Sequence, residues 1–234
     1  PIDIFNIPEQ LDYEVVFSNE VFQNNSEYGF SDICAENNRV IYLNANFYGC
    51  SFEEVKQNDV KRRHCRFTLA HELGHCIIPE HGNYELQNTL LNDGNLHSKQ
   101  YGFQKEYEAN VFAAELLIPS VTVTNIYSYG KTFKDIINNL VLKYDASMMA
   151  SVLRAASLMN DSICICLQIN KITGKIIKFQ YSRGFGEYRK GLFITKNSSP
   201  YAGSIASSLL KGSSVSCVHQ TYNSPQDWFP DFKG

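Results

Sequence analysis

Phe67–Ile78 reads FTLAHELGHCII and holds His71-Glu72-Leu73-Gly74-His75, an H-E-x-x-H spacing inside an apolar, helix-compatible run. On an α-helix, residues four apart stand one above the other on one face, so the imidazoles of His71 and His75 can reach a single metal ion. Neutral imidazole is a good zinc ligand, and two of them leave room for a third protein ligand and a water in a four-coordinate site. Glu72 stands beside that water, where a carboxylate can take its proton; this is the residue pattern of a metalloprotease with Glu72 as general base. Phe67, Leu69, Ala70, Leu73, Ile77 and Ile78 make the run apolar nearly all round, which predicts a buried helix. Gly74, costing about 1 kcal/mol relative to Ala in a helix interior, lies between the histidines, where a small residue lets a second helix come close. Pro79 ends the helix.

The third ligand is expected from the next helix-like run, Gln104–Ile118, QKEYEANVFAAELLI, closed by Pro119. Glu106 and Asn110 are four apart and share a face, so Glu106 can complete the coordination sphere while Asn110 hydrogen-bonds a ligand imidazole. Ala109, Ala113 and Ala114 keep this helix slim, which lets a carboxylate reach a metal held on its neighbour. Glu108 is the competing ligand. It lies about 200° round the helix from Glu106, so one carboxylate can face the metal while the other faces away.

RFTLAHELGH, followed by E-x-E-A-N-x-F-A-A-E-L-L-I-P, resembles the ImmA/IrrE family of zinc metallopeptidases. The resemblance implies a gluzincin-like site with His71, His75 and Glu106 as Zn2+ ligands and Glu72 as catalytic base. It also implies that the substrate is a regulatory protein, a helix-turn-helix repressor whose cleavage switches on stress, mobile-element or defence genes. Finally, it implies a C-terminal domain resembling a GAF sensor fold, at which single-stranded DNA or a small-molecule activator is expected to act.

The remaining chain is consistent with an α+β protein. Its 234 residues, 44% apolar, suffice for one large or two modest domains with a real core. A formal net charge of -3 gives no overall basic field. No stretch of about 18 apolar residues is present, so no membrane span is expected. No secretory signal is legible, and a start at Pro1 without Met points to a trimmed N-terminus. Seven cysteines without paired spacing read as reduced thiols of a cytoplasmic protein.

We expect a zincin-like metallopeptidase domain over residues 1–119, a helical HTH-like bridge over 120–160 and a GAF-like α+β domain over 161–234. Within the first, residues 1–57 read as an α/β lead-in, with strands over Leu11–Phe17 and Arg39–Asn44. The family resemblance makes Val40, Ile41, Tyr42, Leu43 and Asn44 the candidate sheet edge for an extended peptide substrate, docked through main-chain hydrogen bonds; an interior strand with no substrate contact is the other reading. Asn58 offers a helix cap. The basic cluster Lys61-Arg62-Arg63-His64-Cys65-Arg66 reads as a solvated face or a site for phosphate or an acidic partner.

Glu80–Phe103 reads as a long loop holding a short helix near Tyr84–Leu91; His81 and His97 could stabilise an oxyanion or touch substrate there, but a lone loop histidine is more often a surface residue. Lys131–Leu158 reads as two helices broken at Asp145-Ala146-Ser147, and the second lacks the basic and amide start of a DNA-reading helix. Beyond Asp161, Ser162–Asn170 and Lys175–Tyr181 form a hairpin around Lys171–Gly174. A third strand over Leu192–Thr195, a helix over Ala202–Lys211, a fourth strand over Ser214–Thr221 and an aromatic plug at Asp227–Pro230 complete the reading. Two other functions fit the chain: a sensor or DNA-binding regulator with an unused metal site, and a toxin-like binding partner. An intact Glu72 argues against a purely structural metal, which needs no general base and closes with four protein ligands.

Overall fold

The computed structural model describes residues 1–22, 28–32, 39–82, 96–128, 132–159, 165–181, 194–200 and 205–211. In chain order the helices are α1 (Ile7–Gln10), α2 (Ala45–Tyr48), α3 (Phe52–Gln57), α4 (Asp59–Ile77), α5 (Leu96–Leu117), α6 (Ser120–Ser128), α7 (Phe133–Tyr144), α8 (Met148–Leu158) and α9 (Ile205–Lys211). The strands are β1 (Glu14–Ser18), β2 (Gly29–Asp32), β3 (Val40–Asn44), β4 (Ile165–Ile169) and β5 (Ile176–Tyr181). The chain divides into two compact units, Pro1–Pro119 with Val141–Ser147, and Ser120–Leu140 with Met148–Gly234. The H-E-x-x-H helix and the Glu106 helix both belong to the first. Among the described residues, no single helix is long and apolar enough to cross a membrane.

In the first unit, a three-stranded sheet ordered β1-β3-β2 packs on α4. β1 runs parallel to β3 and β2 antiparallel to it. Val40–Asn44 is therefore the interior strand, not a free edge. Its main-chain groups are paired on both flanks, so the substrate docking considered for these residues is corrected here: no hydrogen-bonding edge is left to accept a peptide. The alternation of Ile41 and Leu43, both fully buried, with the half-buried Val40 and Tyr42 is that of a strand with one face in the core. β1 starts later than Leu11, because Leu11-Asp12 turn the chain with Asp12 at φ 59°.

Local chemistry fixes the helix starts. The Ser51 hydroxyl accepts from the Glu54 N–H while the Glu54 carboxylate accepts from the Ser51 N–H, a reciprocal cap for α3. The Asn58 side chain accepts from the N–H groups of Val60 and Lys61 and opens α4. Between these helices and the sheet, Leu43, Tyr48, Val55 and Cys65 form a core joined by Phe5, Phe17 and Phe52. The expected loop over Glu80–Phe103 is shorter than the sequence pattern suggested. A single 3-10 turn spans Pro79–Gly82, and α5 has begun by Leu96; residues 83–95, with the expected short helix, lie outside the described residues.

The basic cluster of α4 is neither a solvated face nor an open anion site. Asp145, just beyond α7, accepts from Arg62 at 2.7 Å and from Arg63 at 2.9 Å, and Arg66, almost fully buried, lies 3.7 Å from the same carboxylate. The guanidiniums hold the Asp145 carboxyl down at about 2.

In the second unit, β4 and β5 pair antiparallel around a turn in which the Asn170 side chain accepts from the N–H groups of Ile172 and Thr173, with Gly174 at φ 65°. The hairpin packs on α8, and α8 packs on α6. α7 and α8 flank the break at Asp145–Ser147, and α9 lies where a helix was expected. Ile194 and Thr195 are not in a strand. Residues 191–193 and 212–234, where the rest of the third strand, the fourth strand and the aromatic plug were expected, lie outside the described residues.

Candidate metal centre

α4 and α5 meet where both are narrowest. A Cβ built on Gly74 would stand 3.1 Å from the Ala109 Cα and 3.4 Å from its carbonyl oxygen, so the helix backbones touch through a glycine and an alanine. Ala109 and Ala113 are fully buried. This close approach brings Glu106, one turn before Ala109 on α5, over the His71–His75 face of α4.

The three side chains converge. His71 Nε2 and His75 Nε2 are 3.1 Å apart; Glu106 Oε2 lies 3.3 Å from His71 Nε2, and Glu106 Oε1 lies 3.4 Å from His75 Nε2. Ligand bonds of about 2.0–2.1 Å at tetrahedral angles place donor atoms about 3.3 Å apart. The donor set, two imidazole nitrogens and a carboxylate, therefore fits a divalent ion in both chemistry and spacing. Among the described residues this is the one such His/Cys/Asp/Glu group. Glu108 is not part of it. Its carboxylate lies on another face of α5, where it accepts from Gln104 at 2.8 Å and pairs with His81 at 3.0 Å.

The electrostatics follow the geometry. The neighbouring His71 and His75 rings hold the Glu106 carboxyl far below the usual carboxylate range. For His71, burial works against the charged form, but Glu106 and the nearby Glu72 outweigh it and raise its pKa. Asn110 also hydrogen-bonds His71, while its amide donates to the Glu106 carbonyl at 2.7 Å. Glu72 is 7% exposed, and burial pushes its carboxyl up, against the opposing pull of His71 and His75.

β2 forms the other wall. The Ser31 hydroxyl donates to Glu72. A Cβ on Gly29 would stand 3.1 Å from the Glu72 Cγ and Oε1, so this glycine lets the strand lie directly against the base. Neither residue was singled out from the sequence, since Tyr28-Gly29-Phe30-Ser31 is too short, and interrupted by a glycine, to read as a strand. His81, for which the surface reading was preferred over contact with substrate or an oxyanion, is not at the surface. It is 1% exposed, its Nδ1 is 3.0 Å from the His75 Nδ1, and its carbonyl accepts from the buried Lys105 ammonium at 2.9 Å. Burial lowers its pKa, which favours the neutral ring. The only sequence signal for it was a histidine six residues beyond a ligand, just past the helix-ending proline.

Residues 9–155 match the family model described as the IrrE N-terminal-like domain, a class of M78 peptidases. The chain belongs to that family. Both helices of the donor group and the whole of the sheet beside them fall inside the matched span, and the family is one of metallopeptidases of the ImmA/IrrE type. No curated protein matches the chain.

Proposed function

We propose that the protein is a zinc-dependent endopeptidase that cleaves a regulatory protein, a helix-turn-helix repressor, and so derepresses stress, mobile-element or defence genes. The observation that carries the reading is the convergence of three ligand atoms with the carboxylate of Glu72 on the same helix, in a member of a peptidase family. A divalent ion bound by His71, His75 and Glu106 would supply Lewis acidity, polarising the scissile carbonyl and acidifying water. A mixed nitrogen and oxygen donor set suits Zn2+.

Glu72 does the proton work in this mechanism. Its carboxylate takes a proton from the attacking water as the new carbon–oxygen bond forms, then delivers it to the amine as the peptide carbon–nitrogen bond breaks. Burial raises the basicity of the carboxylate while the Ser31 hydroxyl fixes its orientation. Asn110 steadies His71.

The substrate would lie along β2 rather than β3. Tyr28 accepts from the Asn44 N–H, so by the alternation of an antiparallel ladder the main-chain groups of Gly29 and Ser31 face the outer edge. Among the described residues no strand covers that edge. An extended peptide added there would run beside Glu72, with main-chain bonds for affinity.

The test is to incubate the zinc-loaded protein and its Glu72→Gln form with the repressor-like protein encoded beside its gene, with and without single-stranded DNA. Fragments from the wild type alone support the reading, and a dependence on DNA identifies the activator expected at the C-terminal unit. Equal fragments from both proteins would remove Glu72 from the mechanism. No fragments under any condition would sink the repressor reading.

A further inference from the structure

We propose that His81 and Glu108 form a positioning relay behind His75, fixing its tautomer so that Nε2 offers a lone pair to the divalent ion. The inference deepens the metal-centre reading and rests on it. Four ring nitrogens and one carboxylate lie in sequence: His75 Nε2 in the donor group, His75 Nδ1 to His81 Nδ1 at 3.0 Å, and His81 Nε2 to Glu108 Oε2 at 3.0 Å.

For neutral rings only one placement of protons suits both ring contacts of His81 and leaves a lone pair on His75 Nε2 for the ion. If His75 Nε2 is to donate a lone pair, its proton sits on Nδ1 and points at His81. His81 Nδ1 must then accept, which leaves the His81 proton on Nε2, aimed at an ionised carboxylate. The opposite placement puts a His75 proton among the ligand atoms and sets the lone pair of His81 Nε2 against the Glu108 oxygen, two acceptors at 3.0 Å. Glu108 thus selects the tautomer of His81, and His81 selects that of His75.

The surroundings hold the relay in place. Lys105, itself buried, donates to the His81 carbonyl and pins the 3-10 turn after α4, while Gln104 donates to the second oxygen of Glu108. Outer partners of this kind are worth about 10–100-fold in metal affinity. Glu108 and Glu106 therefore divide the work of α5, one beside the ion and the other at the far end of the relay.

The experiment uses the full chain with zinc alone, titrated against a chromophoric chelator, together with imidazole 15N spectra of the zinc-free protein. His81→Phe keeps a buried ring but removes the acceptor; zinc affinity should fall about tenfold or more. His81→Asn restores a carbonyl oxygen near the Nδ1 position and should recover most of the loss, and Glu108→Ala should give a smaller loss, because water can reach His81 in its place. In the zinc-free wild type, the His75 resonances should report the Nδ1–H tautomer, and in His81→Phe they should move toward Nε2–H.

Unchanged zinc affinity in His81→Phe overturns the relay. So does a loss of affinity without a change of tautomer, which would reduce His81 to packing. Failure of the wild type to bind zinc sinks the metal-centre reading instead, and the tautomer measurement, made without metal, still decides the relay.

Discussion

Gly74→Ala separates helix propensity from helix packing, because the two have opposite signs at this position. In an open helix, the change would stabilise by about 1 kcal/mol. Here the new methyl carbon would stand 3.1 Å from the Ala109 Cα and 3.2 Å from the Phe112 Cδ1. Carbon atoms prefer about 3.5–4.0 Å. The Phe112 ring can rotate, but Ala109 Cα moves only with its helix, so α5 must retreat by about 0.4 Å or more. Overpacking of this kind costs about 1–3 kcal/mol. With the propensity gain set against it, the variant should be less stable by up to about 2 kcal/mol. The same retreat carries Glu106 away from the imidazoles, so zinc affinity should fall, though less than on removing Glu106, whose exposed side chain can partly follow. Urea unfolding of the zinc-free chain and a chelator titration measure both quantities. A variant more stable than the wild type, with unchanged zinc affinity, would refute the close helix contact as the origin of the site.

Glu106→Ala should cost more zinc affinity than the about 10–100-fold of an outer partner, and metal analysis after dialysis checks it; full zinc retention would move the third ligand elsewhere. Glu72→Gln should retain zinc while cleavage falls by about 10²–10⁴-fold, measured as initial rates on the repressor substrate. Asp145→Asn should destabilise at neutral pH, with a sign set by the lowered carboxyl pKa. The stabilisation is complete above the unfolded value near 3.8 and is lost as pH falls toward about 2. That difference corresponds to about 2.5 kcal/mol, cut by residual solvent screening at the partly exposed guanidiniums to about 1–2. Unfolding in chelator should show the gap between wild type and variant closing between pH 4 and pH 2; a gap that persists at pH 2 would mean the carboxylate charge is not its source.

His71, Glu72 and His75 were legible because a helix fixes side-chain direction by spacing alone, so four residues of sequence already specify a shared face. Glu106 and Asn110 were legible as a face but not as a destination. Periodicity left Glu106 and Glu108 as rivals, and only the seating of α5 on α4 shows which carboxylate reaches the imidazoles. The strand over Val40–Asn44 was found and its place in the sheet was not, since alternation reports which face is buried and carries no information about lateral neighbours.

His81, Ser31 and the Arg62-Arg63-Arg66 clamp on Asp145 share one cause of illegibility. Each acquires its role from a partner brought close by folding, and a lone histidine, a serine in a short unpatterned stretch and a run of arginines look alike whether they end in water or in the core. The sequence by itself determined the chemistry available to this protein: two imidazoles and a carboxylate on one helix, with a second helix carrying further carboxylates. The tertiary structure decided its geometry, because Gly74 lets α5 approach to backbone contact, and that approach sends Glu106 to the donor group and leaves Glu108 to His81.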